Sequence, residues 1–101
     1  MFTLTSARRG AVLWVTVEGE ADLISRDELR TGLAALGVDG IVSVHLHVGD
    51  LTFVDVGCLR ELSRFAVGMR STGRRVMTCH AAPVLHRAAS VLGLEEPLGL
   101  R

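Results

Sequence analysis

A mixed α/β fold with its helices mainly on one face of the sheet is predicted by two features of the sequence. Segments with strand patterning alternate with segments of helical patterning in the order ββαβαβαβ, which implies parallel pairing through right-handed crossovers. The strand segments also alternate apolar and polar residues. Val44, Leu46 and Val48 share one parity, and His45 and His47 share the other. Leu13, Val15 and Val17 oppose Trp14, Thr16 and Glu18, and Val76 and Thr78 oppose Arg75, Met77 and Cys79. A parallel sheet covered on both sides carries continuous apolar runs instead, so this alternation predicts one packed face and one wetter face. A sheet of four to five strands is expected.

Each element follows from its local chemistry. Phe2 to Thr5 predicts a short strand, with a turn at Arg8-Arg9-Gly10. Ala11 to Glu18 is rich in β-branched residues and predicts a second strand, closed by Gly19 and paired with the first as a hairpin. Ser25 followed by Glu28 forms a capping-box pattern, which starts a helix at Arg26. Leu29, Leu33 and Leu36 continue that helix at helical spacing, and Gly37 ends it. Ile41 to Val48 predicts the next strand. Residues 56–71 read as a second helix, with Leu59, Leu62, Ala66 and Met69 on the apolar stripe and Arg60, Glu61 and Arg64 toward water. After Gly73, Val76 to Cys79 predicts a strand. Pro83 fits the first turn of a third helix that runs to about Leu92 and is capped by Gly93. Pro97 to Leu100 is expected to add a short edge strand.

Composition narrows the function. The 101 residues fit one domain spanning 1–101, and 49% hydrophobic content supports a real core. Eleven basic and eleven acidic residues cancel, which argues against a nucleic-acid surface or a polybasic membrane surface. No apolar run approaches the roughly 20 residues of a membrane span, and the N-terminus lacks the pattern of a signal peptide. Two cysteines are too few for a disulfide scaffold, so a cytoplasmic location is expected.

The densest chemistry lies in Leu51-Thr52-Phe53-Val54-Asp55-Val56-Gly57-Cys58-Leu59, where an apolar strand runs into an acid, a glycine, a thiol and then a helix. Ligands and partners of α/β domains gather at such strand-to-helix junctions. Asp55 is placed to cap the second helix, a contribution of about 0.5 to 2 kcal/mol, and this leaves it free to touch a partner. Cys58, near a helix N-terminus, is expected to favour the thiolate. Cys58 and Cys79 lie near the C-terminal ends of strands expected to be adjacent, so a redox pair can be drawn, although two small, partly buried thiols read more simply. His45, His47, His80 and His86 lack any metal-ligand spacing, and no metal or cofactor is expected. Arg70, Arg74 and Arg75 read as a solvated rim. No Gly-x-Ser-x-Gly, Walker or Gly-x-Gly-x-x-Gly motif is present, and no enzymatic activity is expected.

The order and spacing of four segments resemble the STAS domain, the family of anti-sigma factor antagonists that also caps sulfate transporters. Gly19-Glu20-Ala21-Asp22-Leu23 is similar to the family's Gly-x-x-Asp turn before the first helix. Val44 to Asp55 resembles the strand and turn leading into its Asp-Ser-Ser-Gly-Leu motif. Gly73-Arg74-Arg75-Val76 is similar to the glycine and strand that follow, and Val84 to Leu94 resembles the third helix with its Gly-Leu exit. The resemblance spans about residues 2–100, without a counterpart of the family's closing helix.

The resemblance implies a non-catalytic docking module whose partner is an anti-sigma factor of kinase-like ATPase fold. Docking is then expected at Gly19, Asp22, Ser25, Asp55, Val56, Gly57, Cys58 and Leu59. In the family's bacterial regulators the second serine of the motif is phosphorylated, which releases the anti-sigma factor by charge repulsion and desolvation. In register, Asp55 matches the family's acid, Val56 its first serine, Gly57 the acceptor serine and Cys58 its glycine. Glycine has no hydroxyl, so the usual switch is lost at Gly57. What is then expected is a protein that is constitutively active, or one regulated by dimerisation (a homodimer) or by another component. A ligand- or redox-sensing module using the open sheet face or Cys58 and Cys79 stands as the alternative.

Overall fold

A computed structural model describes residues 1–100. Strands β1 (Phe2–Arg9), β2 (Val12–Ala21), β3 (Ser43–His47), β4 (Leu51–Val54) and β5 (Arg75–Cys79) form one mixed sheet. Helices α1 (Arg26–Ala34), α2 (Val56–Ser71), α3 (Pro83–Leu92) and the single turn α4 (Glu95–Leu98) complete the chain. The predicted α/β architecture therefore holds, with several local corrections.

The β1–β2 hairpin is longer than the sequence patterning predicts. The two strands pair antiparallel from Phe2↔Gly19 to Arg9↔Val12, so Arg8 and Arg9 lie in the strand rather than the turn. Backbone pairing overrides the polar character of an exposed edge. The turn contracts to Gly10 and Ala11, with Gly10 at φ +58, a left-handed conformation that glycine adopts without steric cost.

β2 is the spine of the sheet. Its first half, Val12–Thr16, pairs in parallel with β3, and its last residues, Gly19–Ala21, pair in parallel with β4. A register shift between Gly19 and Glu20 allows the change of partner. Gly19 therefore marks an irregularity inside the strand and does not close it. The predicted strand from Ile41 to Val48 shortens to Ser43–His47, and Leu51–Val54 becomes a strand of its own.

The faces segregate as the alternation predicts. Val15, Val17, Val44, Leu46 and Val48 are fully buried under the helices. On the opposite face Trp14, Thr16, His45 and His47 remain half-buried, and Trp14 meets the rings of His45 and His47 at 4.4 and 5.3 Å between centroids.

Two helical details differ from expectation. The capping box at Ser25 does not form: its side chain makes no cap to α1 and instead donates to Asp22. Asp22 thereby caps a 3-10 turn, Leu23–Ser25, that precedes α1. Glu61, expected in water, is 4% exposed. Cys58, Leu59, Glu61, Leu62, Ser63 and Ala66 are all buried, which at 100° per residue is an arc of roughly 200°, wider than one stripe. α1 covers the extra flank.

The expected edge strand Pro97–Leu100 is absent. The segment turns once as α4 and seats Leu98, fully buried, and Leu100 in the core. The hydroxyl of Thr78 donates to the carbonyl of Leu98, and Arg70 donates to that of Pro97. The glycines flanking the segment, Gly93 and Gly99, reverse the chain at positive φ and favour a compact turn over an extended run.

Candidate docking junction

Two segments meet where β2 and β4 end. β2 runs out at Ala21 into Asp22 and the 3-10 turn, while β4 runs out at Val54 into Asp55 and α2. The backbone N–H of Asp55 donates to the carbonyl of Ala21 at 2.8 Å, and the thiol of Cys58 donates to the carbonyl of Asp22 at 3.1 Å. These bonds hold the predicted residues Asp22, Ser25, Asp55, Val56, Gly57, Cys58 and Leu59 around one junction. Gly19 lies at the register shift, where its carbonyl accepts from the Thr52 hydroxyl at 3.1 Å.

Both aspartates organise backbone. Asp55 accepts from the N–H of Gly57 at 2.9 Å and is the N-cap of α2, as its position before the helix predicts. Asp22 Oδ1 accepts from the Ser25 hydroxyl at 2.7 Å and from the Ser25 N–H at 3.0 Å. These bonds, the hydroxyl first, hold the Asp22 carboxyl below its ordinary range by favouring the charged form.

Cys58 departs from the sequence expectation. Its side chain is fully buried, and burial, followed by the nearby charges of Asp55 and Asp22, pushes the thiol up rather than toward thiolate. Desolvation outweighs the helix N-terminus. Cys79 shares the register and parity of His47 on the open face, whereas Cys58 sits in the helical layer, so the two free thiols lie on opposite sides of the sheet. Leu59 is likewise fully buried and supports the junction from below, contributing nothing to its surface.

Leu23, Ile24 and Phe53 stand at the junction without being among the docking residues expected from the sequence, whereas Val56 is one of them. Leu23, Ile24, Phe53 and Val56 are 68%, 92%, 48% and 49% exposed, four of the nine exposed large apolar side chains among the described residues. All four lie on the two segments that meet here. The signal available in the sequence is Leu23-Ile24 itself, an apolar pair inside a turn. Arg26 and Glu61 also enter the junction. The buried Glu61 carboxylate accepts from Arg64 at 3.1 Å, with Arg26 at 3.6 Å and Arg30 at 4.0 Å. This ring binds α1 to α2.

A broad depression lies elsewhere, lined by residues including Arg70, Thr78, His86, Glu95 and Pro97. It shares no residue with the junction and is open to solvent. Among the described residues no group of three His, Cys, Asp or Glu side chains is disposed to hold a metal ion. No helix is long and apolar enough to cross a membrane.

This sheet, the one-sided helices and the strand-to-helix junction together define the fold of STAS domains and anti-sigma factor antagonists. An anti-sigma factor antagonist from Mycobacterium paratuberculosis superposes with a TM-score of 0.81 at 19% identity, over 99% of this chain and 85% of that one. The phosphorylated form of the Bacillus cell fate determinant SpoIIAA gives 0.70 at 14% identity, over 95% and 86%. A STAS domain of an antisigma-factor antagonist from Rhodobacter sphaeroides gives 0.68 at 20% identity, over 82% and 94%. No protein-family model matches the sequence, and no curated protein sequence matches it.

Proposed function

We propose that this chain is a non-catalytic docking module of the anti-sigma factor antagonist type, acting in the bacterial cytoplasm on an anti-sigma factor of kinase-like ATPase fold. The observation that carries the reading is the exposed apolar set Leu23, Ile24, Phe53 and Val56 around the Asp55 cap. Partner interfaces draw their energy from such desolvated apolar centres with polar groups fixed at the edge. Asp22, Ser25, Asp55 and Gly57 supply the fixed polar frame, and Gly19 sets the strand register beside it. The buried Cys58 and Leu59 hold the frame in place.

Gly57 offers no side-chain hydroxyl, so docking here is not released by phosphorylation at that position. The experiment is binding of the chain to an anti-sigma kinase with and without ATP, alongside Asp55→Lys. Residue 57 is expected to stay unmodified and the complex to survive ATP, while Asp55→Lys weakens it by about tenfold or more. Unchanged affinity in Asp55→Lys would remove the proposed surface.

A further inference from the structure

We propose that Arg26 is energetically coupled to position 57: its side chain borders the space a residue there would occupy and places a positive charge beside it. This inference rests on the docking reading and names a residue pair that shapes that surface. A Cβ on Gly57 would lie 3.0 Å from Cδ and 3.4 Å from Nε of Arg26, and 3.0 Å from Oδ2 of Asp55. Carbon contacts are optimal nearer 3.5 to 4.0 Å, so a side chain at 57 requires Arg26 and Asp55 each to give by a few tenths of an ångström.

Arg26 also faces Glu61, although 41% of its side chain is exposed. Its Nε is buried without a hydrogen-bond partner and stands 3.6 Å from Glu61 Oε2. Glu61 is 4% exposed, and a carboxylate so deeply placed depends on the cations around it. Displacing Arg26 withdraws one of the three arginines that surround Glu61. A charge brought to position 57 would lie beside both the Arg26 guanidinium and the Asp55 carboxylate. Gly57→Ser combined with Arg26→Ala removes the Arg26 contact and leaves the one with Asp55 Oδ2, so the pair isolates the Arg26 contribution.

The test is a double-mutant cycle of Gly57→Ser and Arg26→Ala in the whole chain, read by urea unfolding through the single Trp14. Gly57→Ser is expected to lower the folding equilibrium constant about fivefold more with Arg26 present than with alanine there. Additive effects overturn the proposal. If Gly57→Ser alone does not fold, recovery in the double variant is the expected result. Failure of the double variant while Arg26→Ala folds overturns it. A charge readout comes from Gly57→Asp against the isosteric Gly57→Asn. The Asp variant should gain about threefold over Asn with Arg26 present, relative to the Arg26→Ala background, and lose that gain in high salt. An Asp-to-Asn ratio that is the same in both backgrounds contradicts the assignment. No partner enters these measurements, so this inference can fail while Asp55→Lys still weakens docking, and the reverse.

Discussion

Asp22 and Cys58 touch each other, yet their environments push their titrations in opposite directions. Asp22 accepts two bonds from Ser25 that stabilise its charged form. A carboxyl lowered in the folded state contributes stability above the unfolded aspartate value of about 3.9, and that contribution fades as pH falls through the lowered folded value. Stability measured from pH 6 down to 2 is therefore expected to fall less steeply in Asp22→Ala than in the wild type. Identical slopes would show that Ser25 does not hold the carboxyl down. Cys58 is governed by burial, which opposes the thiolate. A thiol-reactive dye is expected to label Cys79 in the native protein and both cysteines only after unfolding. Rapid native labelling of Cys58 would contradict its place in the core. The sequence made both residues visible as candidates. It could not show the sign of the effect on Cys58, because a helix N-terminus is local and burial is not.

At the scale of elements, what was legible followed from periodicity and end signals. α2 from Val56 to Ser71 and α3 from Pro83 to Leu92 match the sequence reading, since Asp55, Pro83 and Gly93 supply local start and stop chemistry. What failed depended on partners distant in the chain. β2 reaches Ala21 because β4 is there to pair with it, and Glu61 is buried because α1 lies across it. The C-terminal segment shows the same limit. Pro97 to Leu100 has a strand-like composition, but Arg70 and Thr78 bind its carbonyls and draw Leu98 into the core. Leu98→Ala is therefore expected to lower the unfolding free energy by about 2 to 5 kcal/mol in urea titration, the cost of a core cavity. A change within about 0.5 kcal/mol would mean that α4 is dispensable surface.

For the whole molecule, the parallel pairing of β2 with β4 sends both strand-to-helix turns to the same end of the sheet. There the turn after β2 and the turn after β4 are joined by the Asp55 to Ala21 bond. The core beneath them, including Val54, Cys58 and Leu59, is buried. The polar members of the junction were legible in the sequence as Asp22, Ser25, Asp55 and Gly57. Of its apolar members Val56 was legible, but Leu23, Ile24 and Phe53 were not, because they look like core residues until the fold leaves them outside.

The most direct test of the docking claim is titration calorimetry of an anti-sigma factor against Ile24→Asp, Val56→Asp and the distant control Val91→Asp. Ile24 and Val91 are comparably exposed, at 92% and 85%, so the substitutions differ in place rather than in burial. Ile24→Asp and Val56→Asp are expected to weaken binding by about tenfold or more while Val91→Asp leaves it unchanged. Equal affinities for all three variants and the wild type would contradict the docking surface.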